Sequence, residues 1–304
     1  ALKKQGKEVI LVVSGAKALG RKDLCRKNPG PKNHNEKVQS RKSQGIAAGN
    51  LTLSQAQAAA AIGQISLAHA FKEKLQKEDI AAAQILLTLS DTENRRQYLN
   101  ARETINTLIE FGAIPVVNEN DTVATNEIRY GDNDRLSARV ASMLEAHILI
   151  ILSDIDGLYT APPKQDTAAR HIEVVEKITP EIEAMAGGAG SSFSSGGMVT
   201  KIMAAKIAVG AACHMIITSG KEINPITKML NGGKATWFIS DADPVQSRKS
   251  WIAGALDVKG TLTIDQGAEN ALYKGNSLLP AGVTRADGKF VRGDIVLIVN
   301  KNGD

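Results

Sequence analysis

Four apolar runs of the sequence are each followed by polar or glycine-rich residues, and these segments hold most of the side chains that could do chemistry. The segments are Ser14-Gly15, Asn118-Glu119-Asn120-Asp121, Ser153-Asp154-Ile155-Asp156, and Ser195 to Lys201. In sheets of parallel strands, ligands bind in loops beyond the carboxyl ends of the strands. We therefore expect the four segments to contribute to one binding region.

The segment Ser195-Gly196-Gly197-Met198-Val199-Thr200-Lys201 runs directly into an apolar helical pattern. Adjacent glycines let the backbone approach a phosphate, and the first amides of the following helix offer it a partial positive charge. Lys201 adds a full positive charge. We predict a phosphate-binding loop here, although the spacing is not the Walker A pattern and a glycine pair before a helix also occurs in ordinary loops.

The segment from Asn118 to Asp121 is joined downstream by Gly131-Asp132-Asn133-Asp134, which opens another helical pattern. So many carboxylates and amides are costly to bury without polar partners, and they suit a ligand that carries both an ammonium and a carboxylate. An amino-acid site is one interpretation of this cluster. Helix capping by Asn133 or Asp134, with a turn at Asn120-Asp121, is the other.

The remaining two segments carry weaker signals. Ser14-Gly15 indicates a small turn whose amides meet an anion, or else a plain connection from strand to helix. At Ser153-Asp154 a hydroxyl and acidic residues end an apolar run. A sharp turn with contacts to a bound nucleotide explains these residues better than a metal site does. A metal site would need three or more converging oxygen ligands, and the segment does not provide that many.

Other classes of chemistry find little support in the sequence. The five histidines have no acidic or thiol partner at catalytic spacing, so hydrolase chemistry is not predicted. Cys25 and Cys213 lie far apart and indicate neither a disulfide framework nor a zinc site. No run approaches the roughly 20 apolar residues that cross a membrane, and the first residues lack a signal-peptide pattern, so we expect a cytoplasmic protein.

The net charge of +5 is concentrated in one stretch. Between Arg21 and Lys42 there are eight basic residues against two acidic ones. The stretch contains Asn28-Pro29-Gly30-Pro31 and lacks apolar periodicity, which favours a solvated basic loop over residues 21–45 rather than a nucleic-acid-binding arm.

The elements that must position these segments alternate along the chain. Runs rich in valine and isoleucine alternate with helical patterns, which predicts an α/β domain with a mainly parallel sheet. Strands are expected at 8–13, 80–89, 113–117, 147–152 and 214–218, and helices at 53–77, 100–111, 134–146 and 197–210. From about residue 248 shorter alternating segments at 260–265, 277–282 and 293–299 predict a small β-rich domain, so the expected domains are 1–247 and 248–304.

Taken together, the polar segments resemble those of bacterial glutamate 5-kinases. The similar segments are Asn118 to Thr125, Gly131-Asp132-Asn133-Asp134, Leu152-Ser153-Asp154 with Gly157-Leu158-Tyr159, and Ser195 to Lys201. The order and separations also agree, and the C-terminal part resembles a PUA domain. The resemblance implies an amino-acid kinase fold, a three-layer sandwich with a mainly parallel central sheet, followed by a small β-rich PUA-like domain.

The same resemblance implies an activity. It is the ATP-dependent phosphorylation of the side-chain carboxylate of L-glutamate to L-glutamyl 5-phosphate, the first step of proline biosynthesis. The family uses magnesium with ATP. It further implies a homo-oligomer and feedback inhibition by proline, with no membrane or nucleic acid as partner.

Roles for individual residues also follow from the resemblance. Glutamate would be held by Ser14, Gly15, Asp121 and Asn133, with Asn118 nearby. Ser153 and Asp154 would contact the nucleotide, and ATP would lie on the loop of Ser195, Gly196, Gly197, Met198, Val199, Thr200 and Lys201. Lys201 would act on the transferring phosphate, and Asp134 would orient the lysines of the site. No residue is assigned to a metal.

The sequence departs from the family in two places. Family members begin with a strand that carries Lys-x-Gly-Ser, whereas this sequence starts just before the following strand and stops as the last strand ends. We expect a chain truncated at both ends, with one cation fewer in the ATP site and with weak activity or none. In addition, Lys17 replaces a usually apolar residue, and we have no physical account of the basic stretch that follows it.

Two alternatives remain at this point. One is a kinase acting on another small acid, either acetylglutamate or aspartate. The other is a catalytically impaired RNA-binding or regulatory protein, which the PUA-like end and the basic net charge would suit. Basic and acidic residues are balanced in the C-terminal part, which therefore lacks the positive surface expected for binding nucleic acid.

Overall fold

The computed structural model describes residues 2–27, 51–123, 133–163, 165–187, 197–242, 259–291, 296–301 and 303. Its first sheet is parallel and has three strands, β1 (Leu11–Val12), β2 (Ala82–Leu87) and β3 (Ile114–Glu119), in the order β1-β3-β2. Leu11 lies opposite Val116, and Leu86 lies opposite Asn118. The carboxyl ends of all three strands consequently share one edge.

Five helices accompany this sheet: α1 (Ala16–Lys27), α2 (Leu53–Gln76), α3 (Leu89–Glu93), α4 (Arg95–Glu110) and α5 (Asn133–Met143). Helix α2 starts with a capping box, in which the Thr52 hydroxyl accepts from the Gln55 amide and the Gln55 side chain accepts from the Thr52 amide. These bonds satisfy two backbone donors that a helix start leaves unpaired. Apolar side chains of α5, including Leu136 and Val140, pack on Val117 of β3.

Helices α1 and α2 touch through two glycines. A Cβ atom at Gly63 would lie 1.9 Å from the carbonyl oxygen of Ala16, and one at Gly20 would lie 1.7 Å from that of Ala59. The two backbones therefore meet directly, which no larger residue at either position permits. This contact fixes the first turn of α1 against α2, close to where β1 and β3 end.

The second part of the larger region, residues 148–238, contains a four-stranded sheet. Its elements are β4 (Ile148–Ser153), β5 (Leu158–Tyr159), β6 (His171–Ile172), β7 (Val174–Val175), α6 (Pro180–Met185), α7 (Met198–Gly210), β8 (His214–Ser219), α8 (Pro225–Leu230) and β9 (Ala235–Phe238). The sheet order is β4-β8-β9-β7, with β4 parallel to β8 and β9 antiparallel to β8. Strands β5 and β6 pair separately. Alanines of α7 pack with Met215 and Phe238 in a fully buried core.

A small β-rich unit follows. Strands β10 (Gly260–Ile264), β11 (Val283–Gly288) and β12 (Val296–Val299) form a sheet in the order β11-β10-β12, and helix α9 (Gln266–Tyr273) follows β10. Asp265 caps α9 by accepting from the Ala268 amide. The predicted small β-rich unit is thus present.

The mainly parallel α/β architecture predicted from the sequence is confirmed, with the described strands of the larger region lying in two main sheets. Several boundaries were wrong. Strand β3 continues through Glu119, because Asn118 and Glu119 pair with Leu86 and Leu87. Residues 277–282 contain a short 3-10 helix at Pro280–Gly282 in place of a strand, and helix α9 was not predicted.

Helix α1 also continues to Lys27, so the first residues of the predicted basic loop 21–45 are helical. The remainder of that loop and the predicted domain boundary at 247/248 lie outside the described residues. No helix in the described ranges is long and apolar enough to span a membrane.

Candidate active site

The N-termini of α5 and α7 lie side by side and bring together the three polar residues Asp134, Thr200 and Lys201. Asp134 Oδ2 accepts hydrogen bonds from Thr200 Oγ1 at 2.8 Å and from Lys201 Nζ at 3.1 Å. Only 12% of the Lys201 side chain and 19% of the Asp134 side chain are exposed. One carboxylate therefore holds the ammonium in a largely buried position, where a charge pair is screened less than at the surface.

Thr200 ties this pair to the preceding turn. Its hydroxyl also lies 2.9 Å from the carbonyl oxygen of Gly197, and because it has a single proton it donates to one acceptor at a time. Gly197 has a φ of +148°, a conformation that favours glycine, and no atom lies within 4 Å of where its Cβ would be. The backbone entering α7 is therefore open to a ligand.

This open turn faces a cavity of about 1100 Å³. The ends of β4 and β8 line it with Ser153, Asp154 and Ser219, and α7 lines it with Met198, Val199 and Lys201. Ser153 is 9% exposed, and its Oγ lies 3.2 Å from Asp154 Oδ1. A volume at the upper end of the range for small-ligand pockets suits a nucleotide-sized molecule.

Tyr159 forms part of the cavity wall and was not predicted as a site residue. Its hydroxyl donates to Asp156 Oδ1 at 2.9 Å, and its ring lies 6.0 Å from Lys234 Nζ. Burial raises the pKa of Tyr159, and the bond to Asp156 raises this pKa further. A phenol is neutral at physiological pH even without this shift, so Tyr159 places an uncharged, flat surface beside the ligand space.

Lysines that follow β8 also line the cavity and were missed from the sequence: Lys221, Lys228 and Lys234. The segment Ser219-Gly220-Lys221 follows an apolar run with polar and glycine residues, as do the segments that begin at Ser14, Asn118 and Ser153. It could have been found by applying that criterion to every strand. Lys228 pairs with Glu222, so part of this positive charge is balanced.

A second cluster contains buried oxygen atoms that lack hydrogen bonds. Asn118 is 1% exposed and donates through Nδ2 to Gln64 Oε1 at 2.7 Å, but its Oδ1 accepts no hydrogen bond from the described residues. The same holds for Asn133 Oδ1 at the start of α5, the helix whose Leu136 and Val140 pack on Val117 beside Asn118. Buried polar atoms without partners are rare because each costs about 1–3 kcal/mol, so these oxygen atoms are candidates for contact with a ligand that donates hydrogen bonds.

Asp121 belongs to the same cluster and has an unexpected neighbour. Its Oδ1 lies 2.7 Å from Nζ of Lys17, on the first turn of α1. Because Oδ1 is buried and is not aligned for a hydrogen bond with any described group, this contact is an ion pair without a well-formed hydrogen bond. Ser14 and Gly15 are exposed and lie just before α1, where Gly15 has a φ of +107°.

The structure thus divides the predicted site residues between two neighbouring clusters. Six of them line the cavity: Ser153, Asp154, Gly197, Met198, Val199 and Lys201. Asn118 and Asp121 lie at the end of β3, next to the turn at Ser14-Gly15 because β1 pairs with β3. Asn133 and Asp134 are consecutive and join the clusters. Ser195 and Gly196 lie outside the described residues.

Metal ligation by the protein alone finds no support within the described ranges. No group of three or more histidine, cysteine, aspartate or glutamate side chains is arranged there to hold a metal ion. Asp154 and Asp156 both line the cavity. One or two carboxylates are sufficient where a magnesium ion is bound mainly by phosphate oxygens and water.

Comparisons with known proteins agree along the whole chain. The profile described as the amino acid kinase family matches residues 1–219, and that of the PUA domain matches residues 260–304. The chain is 56% identical over 303 residues to the glutamate 5-kinase of Agrobacterium fabrum, a match that covers 100% of this chain and 73% of that protein. It is 55% identical over 303 residues to the glutamate 5-kinase of Rhizobium rhizogenes, again with 100% and 73% covered.

Among solved structures, the chain is similar to the carbamate kinase from Giardia lamblia bound to AMP-PNP. The identity is 17% and the TM-score is 0.47, with 79% of this chain and 86% of that chain covered. A score this low carries no argument about the site.

We predict a measurable coupling between Asp134 and Lys201 in the free energy of unfolding. In a double-mutant cycle with Asp134→Asn and Lys201→Met, we expect a coupling of about 1–3 kcal/mol in the free energy of unfolding by urea, because each single change leaves the other charge buried and unpaired. The half-exposed pair Lys206–Glu183, 2.7 Å apart, is the matched control and should show less than about 1 kcal/mol. Equal coupling in both pairs would contradict the structural role given to Asp134.

Proposed function

The chain belongs to the amino acid kinase family, and within it to the glutamate 5-kinases, and from this premise we propose that it transfers the terminal phosphate of ATP to the side-chain carboxylate of L-glutamate. The product, L-glutamyl 5-phosphate, is the first intermediate of proline biosynthesis. One observation carries the assignment of the site: Lys201 lines a nucleotide-sized cavity and is held by Asp134, which directly follows Asn133, a residue whose buried Oδ1 accepts no hydrogen bond from the described residues.

The nucleophile needs no activation. A glutamate side chain has a pKa of about 4.3 and is ionised at neutral pH, so a general base is unnecessary. What opposes the reaction is the approach of one anion to another. Catalysis then comes from alignment of the reactants and from positive charge on the transferring phosphoryl group.

Lys201 supplies that charge at a fixed position. Its ammonium has three protons, and Asp134 Oδ2 accepts one of them, which leaves donors for phosphate oxygens. Because Thr200 and Lys201 share the same carboxylate, the side chain loses little further freedom when ATP binds. Asp134 is thus a positioning residue, and Lys201 is the residue that contacts the transferring group.

ATP occupies the cavity between the ends of β4 and β8 and the start of α7. Ser153 and Asp154 contact the nucleotide, and the loop from Ser195 to Lys201 holds its phosphates. Support for this comes from the open backbone at Gly197 and from the lining of the cavity by both segments. Magnesium enters as part of the MgATP substrate, with Asp154 and Asp156 within the cavity lining.

Glutamate occupies the second cluster. Its α-ammonium donates hydrogen bonds to Asp121 and to the amide oxygens of Asn118 and Asn133. These oxygen atoms are buried and have no hydrogen-bond partners in the described part of the chain. Its α-carboxylate lies at the turn of Ser14 and Gly15, beside the end of β3. The side-chain carboxylate then points towards Lys201.

On the same family resemblance we propose a cytoplasmic homo-oligomer that proline inhibits by feedback. The PUA domain matches residues 260–304, and the proposed boundary between the two domains is residue 247. Binding of nucleic acid by the PUA domain is not part of the proposal, because basic and acidic residues are balanced there.

Substrate choice is tested by measuring ADP release with L-glutamate, L-aspartate and N-acetyl-L-glutamate. Aspartate is one methylene shorter, and N-acetylglutamate lacks the ammonium that Asp121 requires, so we expect kcat/KM for glutamate to exceed both by at least about tenfold. Faster phosphorylation of either alternative acid would overturn the assignment. ATP hydrolysis that is independent of all three acids would also contradict it.

Two variants separate the roles of the clusters. Lys201→Met should lower kcat by about a hundredfold or more, because it removes a charge needed in the transition state. Asp121→Asn should mainly raise the KM for glutamate, since it weakens a contact that is present before and during the reaction. Steady-state kinetics with glutamate and ATP varied in turn check both. A Lys201→Met enzyme with near-normal kcat, or an Asp121→Asn enzyme with unchanged KM, would defeat the respective role.

A further inference from the structure

The ion pair between Lys17 and Asp121 lies inside the cluster assigned to the amino acid. Asp121 is 10% exposed, whereas 46% of the Lys17 side chain is exposed. A nearly buried carboxylate is costly to leave unpaired, so it holds a cation in the absence of ligand. Lys17 is the cation found there, at 2.7 Å.

The Lys17 ammonium has the same chemistry as the α-ammonium of an amino acid. Both are primary ammonium groups with a single positive charge and three N–H donors. Asp121 Oδ1 has no aligned hydrogen bond with a described group, so the Lys17 contact leaves part of its binding capacity unused. A free amino acid that approaches with better alignment competes for the same oxygen atom.

The fold allows Lys17 to withdraw without disturbing the site. Its backbone is fixed, because α1 packs on α2 through Gly20 and Gly63. Its side chain is long, flexible and half exposed, and it can move into solvent at small cost. Only the ion pair itself has to be broken.

We propose that Lys17 is a built-in competitor of the substrate: its ammonium occupies the place on Asp121 that the α-ammonium of the amino acid takes, and ligand binding displaces it. This inference rests on the proposed function, since it assumes that the cluster binds glutamate. It goes further, because it predicts that removing the Lys17 ammonium strengthens binding of the amino acid, whereas removing a residue that binds the amino acid would weaken it. The affinity of the chain for its amino acid is set partly by this internal ion pair.

The test compares the dissociation constants of L-glutamate and glutarate by calorimetry for the unaltered chain, Lys17→Met and Lys17→Gln. Removing the competitor should tighten L-glutamate binding by about 1.5- to fivefold, the range expected for loss of a partly exposed ion pair. Glutarate has both carboxylates but no ammonium, so its binding should not tighten. Lys22→Met, a change of an exposed lysine on the same helix, is the control and should leave both constants unchanged.

The outcomes separate this inference from the proposed function. If the unaltered chain phosphorylates glutamate but both Lys17 variants bind it equally or more weakly, then Lys17 does not compete, and the inference alone is overturned. Equal tightening of glutarate would overturn it as well, because the effect would not depend on the ammonium. If the unaltered chain neither binds nor phosphorylates glutamate, the proposed function fails and the inference fails with it.

Discussion

The site depends on one largely buried ion pair, in which Asp134 holds the ammonium of Lys201. Transfer of a phosphoryl group between two anions requires positive charge, but a mobile lysine would first have to be ordered. Here the carboxylate that orders the lysine also accepts from Thr200, so the start of α7 and the start of α5 are locked together. The packing of small residues such as Ala138 and Ala204 allows the two helices to approach closely enough for this contact.

The two sheets place the remaining groups around that ion pair. Strands β1 and β3 are parallel and end at one edge, which sets Asp121 beside the turn at Ser14-Gly15. Strands β4 and β8 are also parallel and end at the cavity. Asn133 of the proposed amino-acid cluster is followed directly by Asp134, which accepts hydrogen bonds from Thr200 and Lys201 of the proposed phosphate-binding loop. The relative position of the cluster and the loop is therefore fixed by the start of α5.

Much of this arrangement could be predicted from the sequence, because apolar runs and the polar residues after them obey simple rules of strand and loop formation. The long helix α2 and the start of α7 were predicted almost to the residue. The length of β3 was not, because Asn118 and Glu119 are polar and their place in the strand depends on pairing with β2. Helix α9 was missed because it has only eight residues and lies among short alternating segments, although Asp265 is a typical residue for the start of a helix.

Contacts between distant segments were the hardest part of the site to foresee. Lys17 was noticed only as a departure from the family, and nothing in its neighbourhood along the chain indicates a partner more than a hundred residues away. The place of Tyr159 in the cavity wall depends likewise on the packing of surrounding elements, which a local pattern does not reveal. The residue types that follow each strand thus predicted the class of chemistry. Which side chains pair and which are buried could be seen only in the folded structure.

The most direct test of the account is a structure with the non-hydrolysable nucleotide AMP-PNP, magnesium and L-glutamate bound together. The account predicts that a terminal phosphate oxygen lies within about 3 Å of Lys201 Nζ while Asp134 still accepts from the same ammonium. The side-chain carboxylate of glutamate should then lie about 3–3.5 Å from the terminal phosphorus. A nucleotide whose phosphates lie away from Lys201, for example along Lys228, which also lines the cavity, would contradict it.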